Sequence, residues 1–278
     1  MADIENLAAE KNFGTAIAER GETAPDVYGS IPEEMRALLR LPALEAAKRV
    51  LCVQPHPDDN EIGMGGTVAH LVELGCSVDY LTVTDGRLGT EDPHLAPEEL
   101  VATRREETRA AARMLGVEEC LFLDLHDGSL SDVPGLAGSI AEVVRAGGYD
   151  TLFCPDPWSP YEAHLDHVAV GRAVAQAAIN ASLAAYPEGT RTAPAAVRAV
   201  GFYFTANPNT VVDVTDKQDR KLKAMACHRS QLGPELMQMY GAYFVLRGRT
   251  LTGSDRIGEG FKVLAPLHLH CFPEAVGL

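Results

Sequence analysis

The 278-residue chain is poor in positive charge: 24 Lys and Arg stand against 39 Asp and Glu, a formal net charge of −15. Nucleic acid and anionic membrane surfaces reward clustered Lys and Arg, so neither is expected as a partner. There is no run of 18 apolar residues, and so no expected transmembrane helix. The opening MADIENLAAEKN carries acidic residues and no apolar stretch, which is not the pattern of a signal peptide. No Cys-x-x-Cys pair occurs. The six cysteines, Cys52, Cys76, Cys120, Cys154, Cys227 and Cys271, are scattered, and most lie in or beside apolar runs, as small buried thiols do. That usage fits a reducing compartment, and a cytoplasmic protein is expected. Internal repeats and low-complexity tracts are missing as well. A dinucleotide-binding Gly-x-Gly-x-x-Gly is absent too: Gly63-Met64-Gly65-Gly66 puts Val68 where the third Gly belongs.

What is present is an alternating chain with 46% hydrophobic residues, enough for a sizeable core. Residues 1–44 read as an N-terminal extension that packs on a single domain, 45–278, through Leu38, Leu39, Leu41 and Leu44. Strands are expected at 50–53, 77–84, 120–125 and 151–154. Helices are expected at 67–74, 97–115, 136–146 and 165–182, several closed by Gly. The second half changes rhythm: strands at 197–205, 210–214 and 261–264, with helices at 217–231 and 234–243. Strands alternating with helices of this length imply βαβ units. The expected fold class is α/β, a Rossmann-like three-layer α/β/α arrangement with a mainly parallel sheet.

Two clusters carry metal-ligand chemistry. The first, His56-Pro57-Asp58-Asp59, follows the first strand, where open α/β sheets keep their ligand sites. A divalent metal takes imidazole and carboxylate ligands. His56 and Asp59, three apart on a tight turn, can reach one ion and leave Asp58 free as a base. The same residues could instead cap the next helix. The second cluster, His164-Leu165-Asp166-His167, follows the fourth strand. Positions i and i+3 share a helix face, so one His can bind metal while the other does acid–base work. A His/Asp/His triad with one open position is the pattern of a catalytic zinc site.

These motifs resemble the PIG-L/LmbE-like family of zinc-dependent de-N-acetylases. Thr84-Asp85-Gly86, Arg104-x-x-Glu107, Leu115-Gly116-Val117, Asp127-Gly128 and His228-x-Ser230-Gln231 extend the resemblance, which covers about 50–231. Two departures stand out: Asn60 replaces the Glu that follows the first motif, and Leu165 replaces a Pro in the second. The resemblance implies one zinc per chain, bound by His56, Asp59 and His167. It implies Asp58 as general base, His164 as oxyanion stabiliser, and Asp166 as support for His164. It also implies removal of an acetyl group from an N-acetylglucosamine-type sugar or glycoconjugate, and a homo-oligomer, trimer or hexamer.

Further candidates bind substrate. Arg87 and Arg104 could meet sugar hydroxyls, or pair with Asp92 or Glu107. Trp158 and Tyr161 could stack on a sugar ring, or pack in the core. His268 and His270, two apart, suggest a strand with both on one face, and are similar to a C-terminal histidine segment that completes a neighbouring subunit's pocket in chitobiose-type deacetylases. Other readings are an amidase cleaving thiol–sugar conjugates, a non-catalytic sugar-binding module of the same fold, and a two-metal phosphoesterase. The last needs more bridging carboxylates than the sequence offers.

Overall fold

A computed structural model describes residues 31–278. Most of the expected N-terminal extension, residues 1–30, lies outside the described residues. The chain divides into two compact units. The smaller joins residues up to Leu39 with Pro273–Leu278; it contains helix α1 (Glu33–Leu38), where Arg36 donates to the Gly277 carbonyl at 3.1 Å. The larger, Arg40–Phe272, holds the whole sheet.

In that unit the expected alternation is realised. The elements are β1 (Arg49–Gln54), α2 (Asp59–Glu73), β2 (Ser77–Thr84), α3 (Pro97–Leu115), β3 (Cys120–Leu125), α4 (Val133–Gly147), β4 (Thr151–Pro155) and α5 (Leu165–Asn180). Then follow β5 (Ala199–Tyr203), β6 (Thr210–Asp213), α6 (Gln218–Met225), α7 (Pro234–Thr252) and β7 (Gly258–Leu264). The seven strands run in the order β3-β2-β1-β4-β5-β7-β6. The first five are parallel; β7 is antiparallel to β5, and β6 to β7. Strand order reverses between β1 and β4, which pair directly with Val50 opposite Thr151. That makes the gap beyond their carboxyl ends a topological switch point.

Period-two patterning splits the core into two layers. Val50 and Cys52 of β1 join Val78 and Tyr80 of β2 in a cluster with Met64, Val68 and Leu71 of α2 and Leu115 of α3. Leu51 and Val53, equally buried, face the opposite side, where α5 packs on β1 and β4 and α4 packs on α5. Among the described residues no helix is long and apolar enough to cross a membrane.

The glycine run now has a physical reason. Gly63 lies against Tyr203 and Gly66 against Val214, so close that a Cβ would sit 2.5 Å and 2.7 Å from their side chains. Small residues let α2 seat tightly on its neighbours. The helix also breaks at Met64 (φ −150°, ψ 20°). The amides after the break, Gly66 and Thr67, donate to the Glu259 carboxylate at 3.1 and 2.7 Å, and Lys221 Nζ neutralises Glu259 at 2.6 Å. A helix N-terminus favours such an anion.

Four expectations about elements are corrected; helix α2 already starts at Asp59, eight residues before the expected position 67, so the glycine run lies inside it. Helix α7 continues to Thr252, nine residues beyond the expected end, because its Gly and β-branched residues weaken the helical signal without breaking the turn. The helix expected over 217–231 stops at Met225, where the chain turns to bury His228. His268 and His270 do not form a strand: Pro266 opens a 3-10 helix, Pro266–Leu269, and the Ala265 amide donates to His268 Nδ1 at 3.2 Å. Pro cannot donate to a strand ladder, which disfavours the extended pairing there.

Replacing Gly66 with Ala should overpack the α2–Val214 contact and cost about 1–3 kcal/mol. Thermal unfolding of Gly66→Ala measures this; an unchanged Tm would show that α2 is free to shift.

Candidate active site

The two sequence clusters, more than 100 positions apart, meet at the switch point because β1 and β4 are neighbours. Asp59 is the common partner. Its Oδ2 lies 3.3 Å from His56 Nδ1, its Oδ1 lies 3.3 Å from His167 Nε2, and Oδ2 also accepts from the His56 amide at 2.8 Å. His164, at the N-cap of α5, stacks with His167 at 5.0 Å and meets the edge of His56 at 4.4 Å. His56, His164 and His167 have ligand atoms within 4.8 Å of one another.

The donor set suits a divalent cation. Two imidazoles and a carboxylate are buried or half-buried together. Asp59 turns one oxygen to each imidazole, both at 3.3 Å, and imidazole with carboxylate is the donor set a divalent cation takes. The electrostatics agree. Burial alone lowers the His56 pKa, but the Asp127 and Asp59 carboxylates reverse that and raise it to about 10. Against the cost of burial, His167 and His56 hold the Asp59 carboxyl well below the usual carboxylate range. This pocket stores positive charge, and ligands of this kind exchange protons for metal.

Asp58 sits differently. Burial, then the adjacent Asp59 carboxylate, raises its pKa to about 7, against the pull of Arg104. Its φ of 130° is strained for a non-glycine residue, on the order of 1–3 kcal/mol. Arg104, only 3% exposed, holds that conformation from α3: it donates to the carbonyls of Pro57 and Gly86, both at 2.9 Å, and lies 3.4 Å from Asp58 Oδ2. Gly86 (φ 67°) admits this guanidinium, since a Cβ there would stand 2.7 Å from Nη1.

The PIG-L family model, GlcNAc-PI de-N-acetylase, matches residues 51–178. Diacetylchitobiose deacetylase of Thermococcus kodakarensis is 35% identical over 237 residues, which cover 82% of this chain and 87% of that protein. The chain belongs to the PIG-L family. It is accordingly a hydrolytic de-N-acetylase. The N,N'-diacetylchitobiose deacetylase from Pyrococcus horikoshii, solved with its inhibitor, superposes with a TM-score of 0.81 at 33% identity, over 88% of this chain and 97% of that one. A 1D-myo-inositol 2-acetamido-2-deoxy-alpha-D-glucopyranoside deacetylase of Kineococcus radiotolerans is 32% identical over 66% of this chain and 59% of that protein. GalB of Pseudomonas putida, a 4-carboxy-2-hydroxymuconate hydratase, shares the fold at 23% identity (TM-score 0.67). The fold alone therefore does not choose the reaction.

In this PIG-L chain the remaining expected residues take varied places. Asp166 is buried; it lies 3.4 Å from His56 Nε2 and accepts from the Gly128 amide at 2.7 Å, and its charge acts on His164 as well, raising that imidazole's pKa against burial. Arg87 pairs with Asp85 rather than Asp92 or Glu107. Arg104 serves the backbone, and Glu107 instead accepts from the Ser230 amide and hydroxyl. Trp158 packs edge-on against Phe202 beneath Arg172, and Tyr161 is fully exposed. His268 is buried, whereas His270 is exposed. Asn60 donates to the Cys52 carbonyl, and the acid one position later, Glu61, meets the fully buried His228 at 3.1 Å.

Two carboxylates to which the sequence reading gave no role reach the histidines. Asp127, after β3, lies 3.2 Å from His56 Nε2; Glu162 lies 3.3 Å from His167 Nδ1 and accepts from the His164 amide at 2.7 Å. Neither ring nitrogen makes an aligned hydrogen bond, so these are ion-pair contacts in a bent geometry. Each carboxylate faces the imidazole nitrogen that points away from Asp59, as partners that orient metal-binding histidines do. The Asp127-Gly128 dipeptide was a sequence signal; Glu162 had none beyond its nearness to His164.

Asp127→Asn and Glu162→Gln should each weaken divalent-cation affinity about 10–100-fold. Chelator-competition titration reads this directly, and wild-type affinity in both variants would deny them an orienting role.

Proposed function

We propose that the protein is a hydrolase that uses one zinc ion per chain to remove the N-acetyl group from an N-acetylglucosamine-type sugar or glycoconjugate. The observation that carries this reading is the convergence of His56, Asp59 and His167 with Asp58 beside them. The relatives support the substrate class, since their names specify acetylated glucosamine compounds.

An amide carbon is a poor electrophile, and its hydrolysis needs a polarised carbonyl and an activated water. His56, Asp59 and His167 would hold the zinc, which when bound would supply a Lewis acid for the carbonyl and acidify a water to a pKa of about 7. Asp58 is the base. Its carboxyl, raised to about 7, takes a proton from the attacking water and delivers it to the amine nitrogen as the C–N bond of the tetrahedral intermediate breaks, leaving acetate and the free amine. His164 faces the same point from the start of α5. Burial and the neighbouring imidazoles of His56 and His167 lower its pKa, so at neutral pH it is a neutral N–H donor. Such a donor stabilises the oxyanion of the tetrahedral intermediate. Arg104 keeps the Asp58 turn in place, and the Asp127, Asp166 and Glu162 carboxylates hold the two metal-side imidazoles.

The same reading includes self-association. Helix α7 leaves Leu236, Met239 and Leu246 exposed on one side, a stripe of the sort that partner subunits cover.

Asp58→Asn should lower acetate release from N-acetylglucosamine-type substrates about 10²–10⁴-fold. Asn tolerates a positive φ, so the variant should keep its fold and its zinc content by atomic absorption. Full activity in that variant would refute Asp58 as the base. Dialysis against a chelator should abolish turnover, and one equivalent of zinc per chain should restore it.

A further inference from the structure

The late motif His228-x-Ser230-Gln231 takes no part in the chemistry above, yet the chain bends to place it. Helix α6 stops at Met225, and His228 and Leu232 are buried on either side of the exposed Ser230. The Gln231 and Leu232 amides both donate to the His228 carbonyl, at 3.1 and 2.8 Å, so 228–232 is a single turn. Each motif side chain ends on a different element. His228 Nε2 lies 3.1 Å from Glu61 Oε2, in the first turn of α2. The Ser230 amide and hydroxyl donate to the two carboxylate oxygens of Glu107 on α3, at 2.9 and 2.6 Å. Gln231 Nε2 donates to the Gly89 carbonyl at 2.9 Å, in the loop after β2.

Those three elements are the ones that meet at Asp58. Asp58 is the N-cap of α2, three positions before Glu61. An N-cap Asp ordinarily secures its own turn by accepting from an amide two or three positions on. Here the side chain makes no such bond, and φ is 130°. The turn is therefore held from outside. Arg104, one helical turn before Glu107 on α3, donates to the Pro57 and Gly86 carbonyls. Gly89 is wedged between Arg104 and Gln231: a Cβ there would stand 2.5 Å from Arg104 Nη1 and 2.8 Å from Gln231 Oε1. The Glu61–His228 pair closes the other side. Both side chains are fully buried, and His228 Nδ1 and Glu61 Oε1 have no partner. Well-packed apolar residues of similar volume often serve stability as well as such a pair. Unlike them, the pair fixes the first turn of α2 in one direction.

We propose that 228–231 is a strap that positions the base. Through Glu61, Glu107 and Gly89 it holds the Asp58 turn and Arg104 in register, so that the Asp58 carboxylate meets the attacking water. His228, Ser230 and Gln231 are positioning residues, which act through Asp58 rather than on the substrate. This role rests on the deacetylase reading above.

The test uses the full-length, zinc-loaded enzyme and follows acetate release from N-acetylglucosamine and N,N'-diacetylchitobiose, with zinc content and Tm measured alongside. Ser230 is exposed and Gln231 half-buried, so the double variant Ser230→Ala/Gln231→Ala keeps the core. Its kcat should fall about tenfold, since small misplacements of a reacting group are costly, while KM stays within about twofold and zinc and Tm are retained. His228→Leu should lose at least as much kcat, and His228→Gln, which keeps an N–H for Glu61, should recover most of it. If His228→Leu fails to fold, the double variant decides alone. An unchanged kcat in the double variant, a loss that tracks Tm or zinc, or equal kcat for the Gln and Leu variants overturns the strap. Amide hydrogen exchange over 57–61 and 86–90 is the readout that needs no turnover. It should quicken in the double variant, and unchanged exchange also overturns the strap. No acetate from either substrate with the wild-type enzyme overturns the deacetylase reading, and with it the role of the strap in catalysis.

Discussion

Asp59 is the carboxylate on which the rest of the site depends. Buried ions are expensive unless paired, and Asp59 is paired twice, with one oxygen toward His56 and the other toward His167. That pairing requires residues from two loops more than 100 positions apart to lie within hydrogen-bonding range. The parallel pairing of β1 with β4 supplies it. Their adjacency at the reversal of strand order sets the two loops side by side, and a one-residue slip in register would move both clusters off one another.

Around that carboxylate the chain spends stability on geometry. The Asp58 backbone is strained, Gly86 leaves room for the guanidinium that holds it, and Arg104 is buried to do so. Behind the turn, Glu61 and His228 form a fully buried pair whose charge reaches Asp58. These features are hard to explain as packing. They make sense as a frame that keeps the carboxylates of Asp58 and Asp59 and the imidazoles of His56 and His167 at fixed separations, which a preorganised site needs.

A cavity of about 480 Å³ joins the Asp59 and His167 end of the site to the second half of the chain, where the alternation of strands and helices changes. The first five strands and their helices build the reactive end; β7, α6 and α7 build the other. Glu259 serves both, since it caps the restarted half of α2 and neutralises Lys221 in the cavity wall.

Local patterning in the sequence determined a good deal. β-branched alternation and Gly or Pro stops located β2, α3 and β3 to the residue, because those signals act within a few positions. The pair of His/Asp clusters marked the residues that meet at the switch point for the same reason, since ligand spacing on a turn or helix is a local property. Tertiary structure decided what depends on distance through space. It turned Asp166 to His56, gave Arg87 to Asp85 and Arg104 to the backbone, and brought Asp127 and Glu162 to the far nitrogens of two histidines. An isolated carboxylate carries no local pattern that names its partner. The histidines at 268 and 270 show the opposite error: their spacing of two mimicked a strand, and Pro266 with the Ala265 amide made a 3-10 turn instead. Periodicity thus located the elements and the motifs, and only the strand order, by choosing which loops became neighbours, settled which side chains act on which.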